Sequence, residues 1–289
     1  MKIIGRIILT HREDLIEILK EYYLDSGRTN FLVISYKRDA VNPEKFKGHK
    51  GLYFIPFFND EKSLSSQDIA GQQFRAWVTA VRAFPMITHW VIHDYDVVCK
   101  VGDKEIMSLV NDEQFAMIGE PIPVWQEGMK DIGLRTFPFP QRHQDWNKPK
   151  DALSKSVSNL ISSVLMDAYP YYFQGIKTLL GGYGDVVATS SKNLLYLDDP
   201  KIKNIHLGGS EQVPHTIFNA HNIKAVDLSK HYKTKMIYDN SYASLDEPYD
   251  FIHPVKFWPK GQKAPPLLLF KNLVKKFLGF FRPAKISYS

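Results

Sequence analysis

Two carboxylates one residue apart, Asp94 and Asp96, end the apolar, β-branched and aromatic run Ile87 to Val98, ITHWVIHDYDVV. Hard divalent cations take carboxylate oxygens, and a buried strand that stops in a short turn aims both carboxylates at one point. Holding such a cation is the first chemistry this chain offers, and the rest of the sequence reads outward from it.

The elements that must position the pair come before it. Lys2 to Leu9 alternates and is rich in isoleucine, which predicts a first strand. Thr10 is placed to cap a following helix with Leu15, Ile18, Leu19 and Tyr22 on its apolar face. Phe31 to Ser35 and Gly51 to Phe58 read as second and third strands. Ile69, Phe74, Trp77, Val78, Val81 and Phe84 recur at helical spacing until Pro85 stops that helix before the aspartate strand. Strands alternating with helices predict an α/β fold with a mostly parallel central sheet, whose ligands sit at the carboxyl ends of the strands. The polar ends THRED, SYKRD and HDYD fall on that edge. Farther on, Phe115 to Ile118 predicts a short strand, Ser154 to Tyr169 a helix, and GGYGD, Gly181 to Asp185, a break before the strand Asp185 to Thr189.

Asp94-Tyr95-Asp96 at the end of a fourth strand, behind such a half, resembles the DxD element of nucleotide-sugar glycosyltransferases with the three-layer, Rossmann-like GT-A fold. The resemblance implies that Asp96 ligates Mn²⁺ or Mg²⁺, with Asp94 a second ligand or a ribose contact, and that the ion grips the diphosphate of the donor. Phe251 to Trp258, FIHPVKFW, resembles the His-Pro-x-Lys element of the same family. There His253 completes the metal shell or contacts the diphosphate, and Lys256 neutralises phosphate, an imidazole beside a cation and an ammonium beside an anion. Ser210-Glu211 with Pro214-His215-Thr216 resembles the base element of inverting enzymes, which makes Glu211 the group that takes the acceptor hydroxyl's proton. By position, Thr10, Tyr36 and Asp39 match the family's contacts to base and ribose, with Tyr95 beside them. Gln73 and Arg75 lie on the helix that could reach the donor sugar or diphosphate. The aromatic-rich loop Thr136 to Trp146 is the candidate acceptor platform.

Bulk properties fit this reading. The 289 residues suffice for one domain plus a tail: a nucleotide-sugar half at 1–110, an acceptor half at 111–260, and a tail at 261–289. A net charge of +6 favours anionic partners. The densest basic stretch is the apolar-interleaved Phe270 to Lys285, which points to an anionic membrane surface rather than to nucleic acid, with docking on the protein's own body or on a dimer partner as the alternatives. Ten histidines show no zinc-like spacing with the single Cys99, and no phosphate-binding glycine loop follows a strand. No run reaches the roughly 18 apolar residues of a membrane span. The expectation is a cytoplasmic protein, peripheral on the membrane, that moves a sugar from a UDP-sugar or similar donor to a hydroxyl of a glycan or lipid-linked acceptor, as in polysaccharide biosynthesis.

Two alternatives compete. IHDYDVV with Lys192 and LLYLDDP, Leu194 to Pro200, resembles a haloacid-dehalogenase-like phosphatase, although that fold begins at its aspartate strand. A non-catalytic nucleotide-sugar-binding protein on the same scaffold is the other. Sugar nucleotidyltransferases share the architecture but carry a basic, glycine-rich loop where this chain has THRED.

Overall fold

A computed structural model describes residues 2–38, 40–57, 66–126, 178–198, 209–236, 245–253 and 255; for 57, 66–73, 122–126, 178, 179, 181–185 and 209–213 it describes the backbone alone. The chain divides into a body, Met1–Val255, and a C-terminal unit, Lys256–Ser289, that lies outside the described residues. The expected helix at Ser154 to Tyr169, the acceptor loop and the basic tail fall outside them as well.

The first half alternates as the sequence predicts: β1 (Ile4–Thr10), a short helix α1 (Ile16–Leu19) that continues as a wide turn over Lys20–Asp25, β2 (Leu32–Lys37), β3 (Leu52–Phe57), α2 (Ser66–Ala83) and β4 (His89–Asp94). After β5 (Val98–Cys99) and α3 (Asp103–Ser108) come β6 (Gln114–Gln126), β7 (Thr178–Ser190), α4 (Ser191–Leu194), α5 (Gly209–Ala220), β8 (Lys224–Asp227), β9 (Thr234–Met236) and β10 (Phe251–His253).

Among the described residues, seven strands form one sheet in the order β3-β2-β1-β4-β7-β6-β8, and β7 alone runs against the rest. β3 is an edge strand, which is why Pro56 is tolerated in it despite its missing donor. β5, β10 and β9 form a second, three-stranded sheet.

One face of the main sheet presents Ile7, Leu9, Val33, Ile55, Trp90, Ile92, Phe115, Met117 and Val187 to α2 and α5. From α2 the large buried side chains among those described are Phe74, Trp77, Val78 and Val81, four of the six expected stripe positions; Phe84 is partly buried and the side chain of Ile69 lies outside the described residues. Each of the four contributes about 1.5–3 kcal/mol relative to exposure. Gly5 stands opposite Trp90, and a Cβ there would come within 2.7 Å of the indole. A fully buried tryptophan thus dictates a glycine on its neighbour strand. The other face carries Arg6, Ile8, Leu32, Ile34, Val91 and His93, covered by Leu15, Ile16, Leu19 and Tyr23 and by Ile106 and Met107 of α3, so helices lie on both faces.

Four expectations change. The face of α1 and its continuation is Leu15, Ile16, Leu19 and Tyr23; Ile18 and Tyr22 are only partly covered. Thr10 caps no helix: its hydroxyl accepts from Arg12 N–H at 2.9 Å, a local turn that aims the chain away from β1. The short strand at Phe115 is the long β6. GGYGD, expected to interrupt the chain, lies inside β7, because the β6–β7 pair absorbs its register shifts in bulges around Ile118 to Trp125, where Pro121 and Pro123 also sit.

Candidate functional site

The C-terminal edge of β1, β2 and β4 is assembled by register. Leu9 stands opposite Asp94 and Thr10 opposite Tyr36, so the ends of three parallel strands lie side by side. Thr10 is buried and Tyr36 half-buried, its ring edge-on to Phe54 at 6.0 Å. His11 meets Tyr95 edge-on, with ring centres 5.1 Å apart, across the ends of β1 and β4. Just beyond β1, Glu13 accepts from Asn42 N–H at 2.6 Å and pairs with Lys45, tying the loop after β2 to the turn after β1.

Asp94 is the last residue of β4 and half-buried; Tyr95 and Asp96 form the turn that leaves the sheet. That turn is held along its backbone. Asp94 C=O accepts from Val97 N–H at 3.2 Å, Tyr95 N–H donates to Leu9 C=O at 3.0 Å, and Asp96 C=O accepts from Val255 N–H at 2.7 Å. The last bond comes from the second sheet. β10 runs antiparallel to β5, with Ile252 opposite Val98 and Phe251 opposite Cys99, so its next residues extend back toward the turn. His253 Nε2 thereby comes within 3.8 Å of Asp96 Oδ2. Sequence reasoning paired these residues by resemblance alone; the small sheet is what brings them together.

Behind the turn lies a polar cluster inside the apolar layer. Arg6 is fully buried and pairs with Asp103, its Nε donating to Oδ1 at 2.8 Å. Its guanidinium lies over the Tyr23 ring at 4.3 Å, and its Nη1 is 2.9 Å from His93 Nε2. Burial opposes the arginine's charge, but Asp103, with Cys99 and Tyr23, outweighs it and holds the pKa above its ordinary value. Burial, reinforced by Arg6, pushes His93 down to about 3, so its ring is neutral. Burial likewise raises the Cys99 thiol, which keeps it an unreactive core group. Neither Arg6 nor His93 was singled out from the sequence as a site residue. The signal was there, since a charged side chain in a strand that reads as buried requires a partner.

The remaining expected site residues divide. Arg75 sits midway along α2, half-buried between Phe74 and the core residue Ala76; Gln73 is on the same helix with its side chain outside the described residues. Asp39 and Lys256 lie outside them entirely. Glu211 belongs to the first turn of α5, described by backbone only. A turn at His221 and Asn222 reverses the chain between α5 and β8, and β8 runs with β6 and therefore with β4. The first turn of α5 accordingly lies toward the edge that carries Asp94. Farther along this helix His215 is fully buried, stacked on Phe115 at 5.7 Å, with no hydrogen-bond partner among the described residues. Burial alone pushes it down to about 3.

The phosphatase alternative fails on topology. Ser190 stands opposite His89, so α4, with the exposed Lys192, starts at the far end of β4 from Asp94. Asp198, just beyond, pairs with Arg82 near the end of α2. A strand's length separates these groups from the aspartate turn.

As a cation site, the edge offers an oxygen donor at Asp96 and a nitrogen donor at His253, with Asp94 next to them in the chain. Carboxylate and imidazole together suit Mn²⁺, and carboxylates suit Mg²⁺. Among the described residues no group of three or more His, Cys, Asp or Glu is placed to hold a metal ion. Among the described residues no helix is long and apolar enough to cross a membrane.

No family model matches the chain, and no curated protein matches it. Solved structures show a distant likeness. One is a glycosyltransferase involved in the glycosylation of the major capsid of PBCV-1, 12% identical with a TM-score of 0.26 over 41% of this chain and 52% of that one. The chain thus matches about half the length of that protein. Another, from Bacillus anthracis and assigned as a glucose-1-phosphate thymidylyltransferase, was solved in complex with a sucrose; it is 9% identical, with a TM-score of 0.37 over 78% of this chain and 86% of that one.

Proposed function

We propose that this protein is a glycosyltransferase that moves a sugar from a nucleoside diphosphate donor, a UDP-sugar first among them, to a hydroxyl of a glycan or lipid-linked acceptor. The observation that carries the reading is the approach of His253 to Asp96 at the carboxyl end of β4, where open parallel sheets bind their ligands. Asp96 and His253 come from two stretches far apart in sequence, each resembling an element of such transferases, and meet at one turn.

Asp96 and His253 would hold Mn²⁺ or Mg²⁺, with Asp94 a further ligand or a ribose contact. Bound there, the ion supplies positive charge against the departing diphosphate. Lys256, two residues beyond Pro254, would neutralise phosphate from the protein's own side. Thr10, Tyr36, Tyr95 and Asp39 would contact base and ribose, and Gln73 and Arg75 would contact the donor sugar or diphosphate. Glu211 removes the proton of the acceptor hydroxyl, which makes the transfer inverting. The tail at 261–289 lies on an anionic membrane surface and brings a cytoplasmic enzyme to its acceptor.

Calorimetry tests the donor site. UDP binds in the presence of Mn²⁺, and far more weakly with EDTA or in Asp96→Ala; equal binding in all three would remove the cation from the reading. Liposome flotation tests the tail: deleting the residues after Ala264 abolishes binding to anionic vesicles, and unchanged binding rejects that part.

A further inference from the structure

We infer that His93 is a positioning residue: it fixes the carbonyl of Asp94, and through it the Asp94-Tyr95-Asp96 turn, in the geometry a divalent cation requires. The inference rests on the reading of that turn as the cation site.

The bond directions leave one arrangement. Arginine donates and cannot accept, so Arg6 Nη1 at 2.9 Å makes His93 Nε2 the acceptor and leaves the ring proton on Nδ1. Nδ1–H then donates to Asp94 C=O at 2.8 Å. Arg6 is itself locked by Asp103 and the Tyr23 ring, so the direction of the His93 bond is set two side chains back from the turn. The need for such a bond follows from the path of the chain. β7 pairs with β4 from His89 to His93 and no farther, so the chain leaves that ladder as it reaches Asp94. Among the described bonds the Asp94 carbonyl accepts from Val97 N–H at 3.2 Å, and the imidazole is a second donor to it. Of the bonds described to the turn's backbone, this one comes from a side chain, and it falls on a residue whose carboxylate the site uses. Outer-shell hydrogen bonds of this kind orient ligands, and their loss typically costs about 10–100-fold in metal affinity.

Two variants of the full chain separate positioning from packing. The amide nitrogen of Asn falls near the place of Nδ1 and donates as it does, and the amide oxygen of Gln falls near Nε2 and accepts from Arg6. His93→Asn therefore keeps the donor to Asp94 C=O and gives up Arg6; His93→Gln does the reverse. Mn²⁺ alone is titrated into each variant, and amide hydrogen exchange at Tyr95 and Val97 is followed in metal-free protein. The expected result is a loss of about 10–100-fold in Mn²⁺ affinity and faster exchange at Val97 in His93→Gln, with His93→Asn close to wild type in both. Equal Mn²⁺ affinity in the two variants, whatever their melting temperatures, overturns the inference and leaves the cation site standing, provided that wild type binds Mn²⁺ and Asp96→Ala does not. A wild type that takes up no Mn²⁺ rejects the inference together with the reading beneath it. Should a variant not fold, ¹⁵N NMR of the wild-type histidines decides: the Nδ1–H tautomer at His93 is required, and an Nε2–H ring or an imidazolium overturns the assignment.

Discussion

His253 Nε2 lies 3.8 Å from Asp96 Oδ2, although one residue closes β10 near the end of the described chain and the other sits in the turn after β4. The contact depends on backbone pairing, since β10 is zipped to β5 and Val255 N–H bonds the Asp96 carbonyl. An arrangement made by a sheet is set before any ligand arrives, which is what a cation site needs to bind without reorganisation.

If that pair is a joint donor set, His253→Ala weakens Mn²⁺-dependent UDP binding and leaves any cation-independent UDP binding as it was. Asp96→Ala does the same, and the double variant loses little more than the worse single, because each single already breaks the shared site. Additive losses in calorimetry would show that the two act separately.

Transfer rate reports on Glu211. General base catalysis contributes about 10²–10⁴-fold, so Glu211→Gln loses turnover of that order while keeping its affinity for UDP. Undiminished turnover moves the role to Asp185 or Asp145, and retention of anomeric configuration in the product rejects an inverting mechanism outright.

Acid should destabilise the fold before its carboxylates titrate. His93 and His215 are both held at about 3 by burial, against 6.5 in an open chain. The unfolded chain therefore binds protons that the folded one refuses. Stability is fully present above about pH 6.5 and falls as pH drops from there toward 3, by about 1.4 kcal/mol per pH unit for each histidine. Urea unfolding at pH 7.5 and 5.5 measures the slope. In His215→Phe, an apolar ring against Phe115, the slope falls, with His93 and the also depressed His89 carrying the rest; an unchanged slope places the proton uptake elsewhere.

The Arg6–Asp103 pair offers a stability test independent of function. Arg6→Met leaves a buried carboxylate uncompensated and costs about 3–5 kcal/mol. Arg6→Met combined with Asp103→Leu removes both charges and recovers much of that loss. A double variant less stable than the single, in chemical denaturation, would mean that Asp103 has other partners strong enough to hold its charge.

Local pattern made much of this protein legible. Alternation marks β1, short apolar and β-branched runs mark β2 and β4, and a helical stripe marks α2, because each pattern lies in side chains a few residues apart. The polar strand ends THRED, SYKRD and HDYD could be assigned to one edge for the same reason, once strand and helix alternated. What sequence could not supply were relations between distant segments. GGYGD carries every local mark of a break, yet it continues as a strand because β6 offers a partner that bulges to match it. Lys192 and the aspartate turn looked compatible until the antiparallel course of β7 carried α4 to the opposite end of β4. The roles of His93 and Arg6 are absent from the sequence reading; only the tertiary arrangement shows one ring nitrogen facing a guanidinium and the other a carbonyl. Strand identity is written in side chains a few residues apart, whereas hydrogen bonds between side chains on neighbouring elements depend on register, which the sheet as a whole decides.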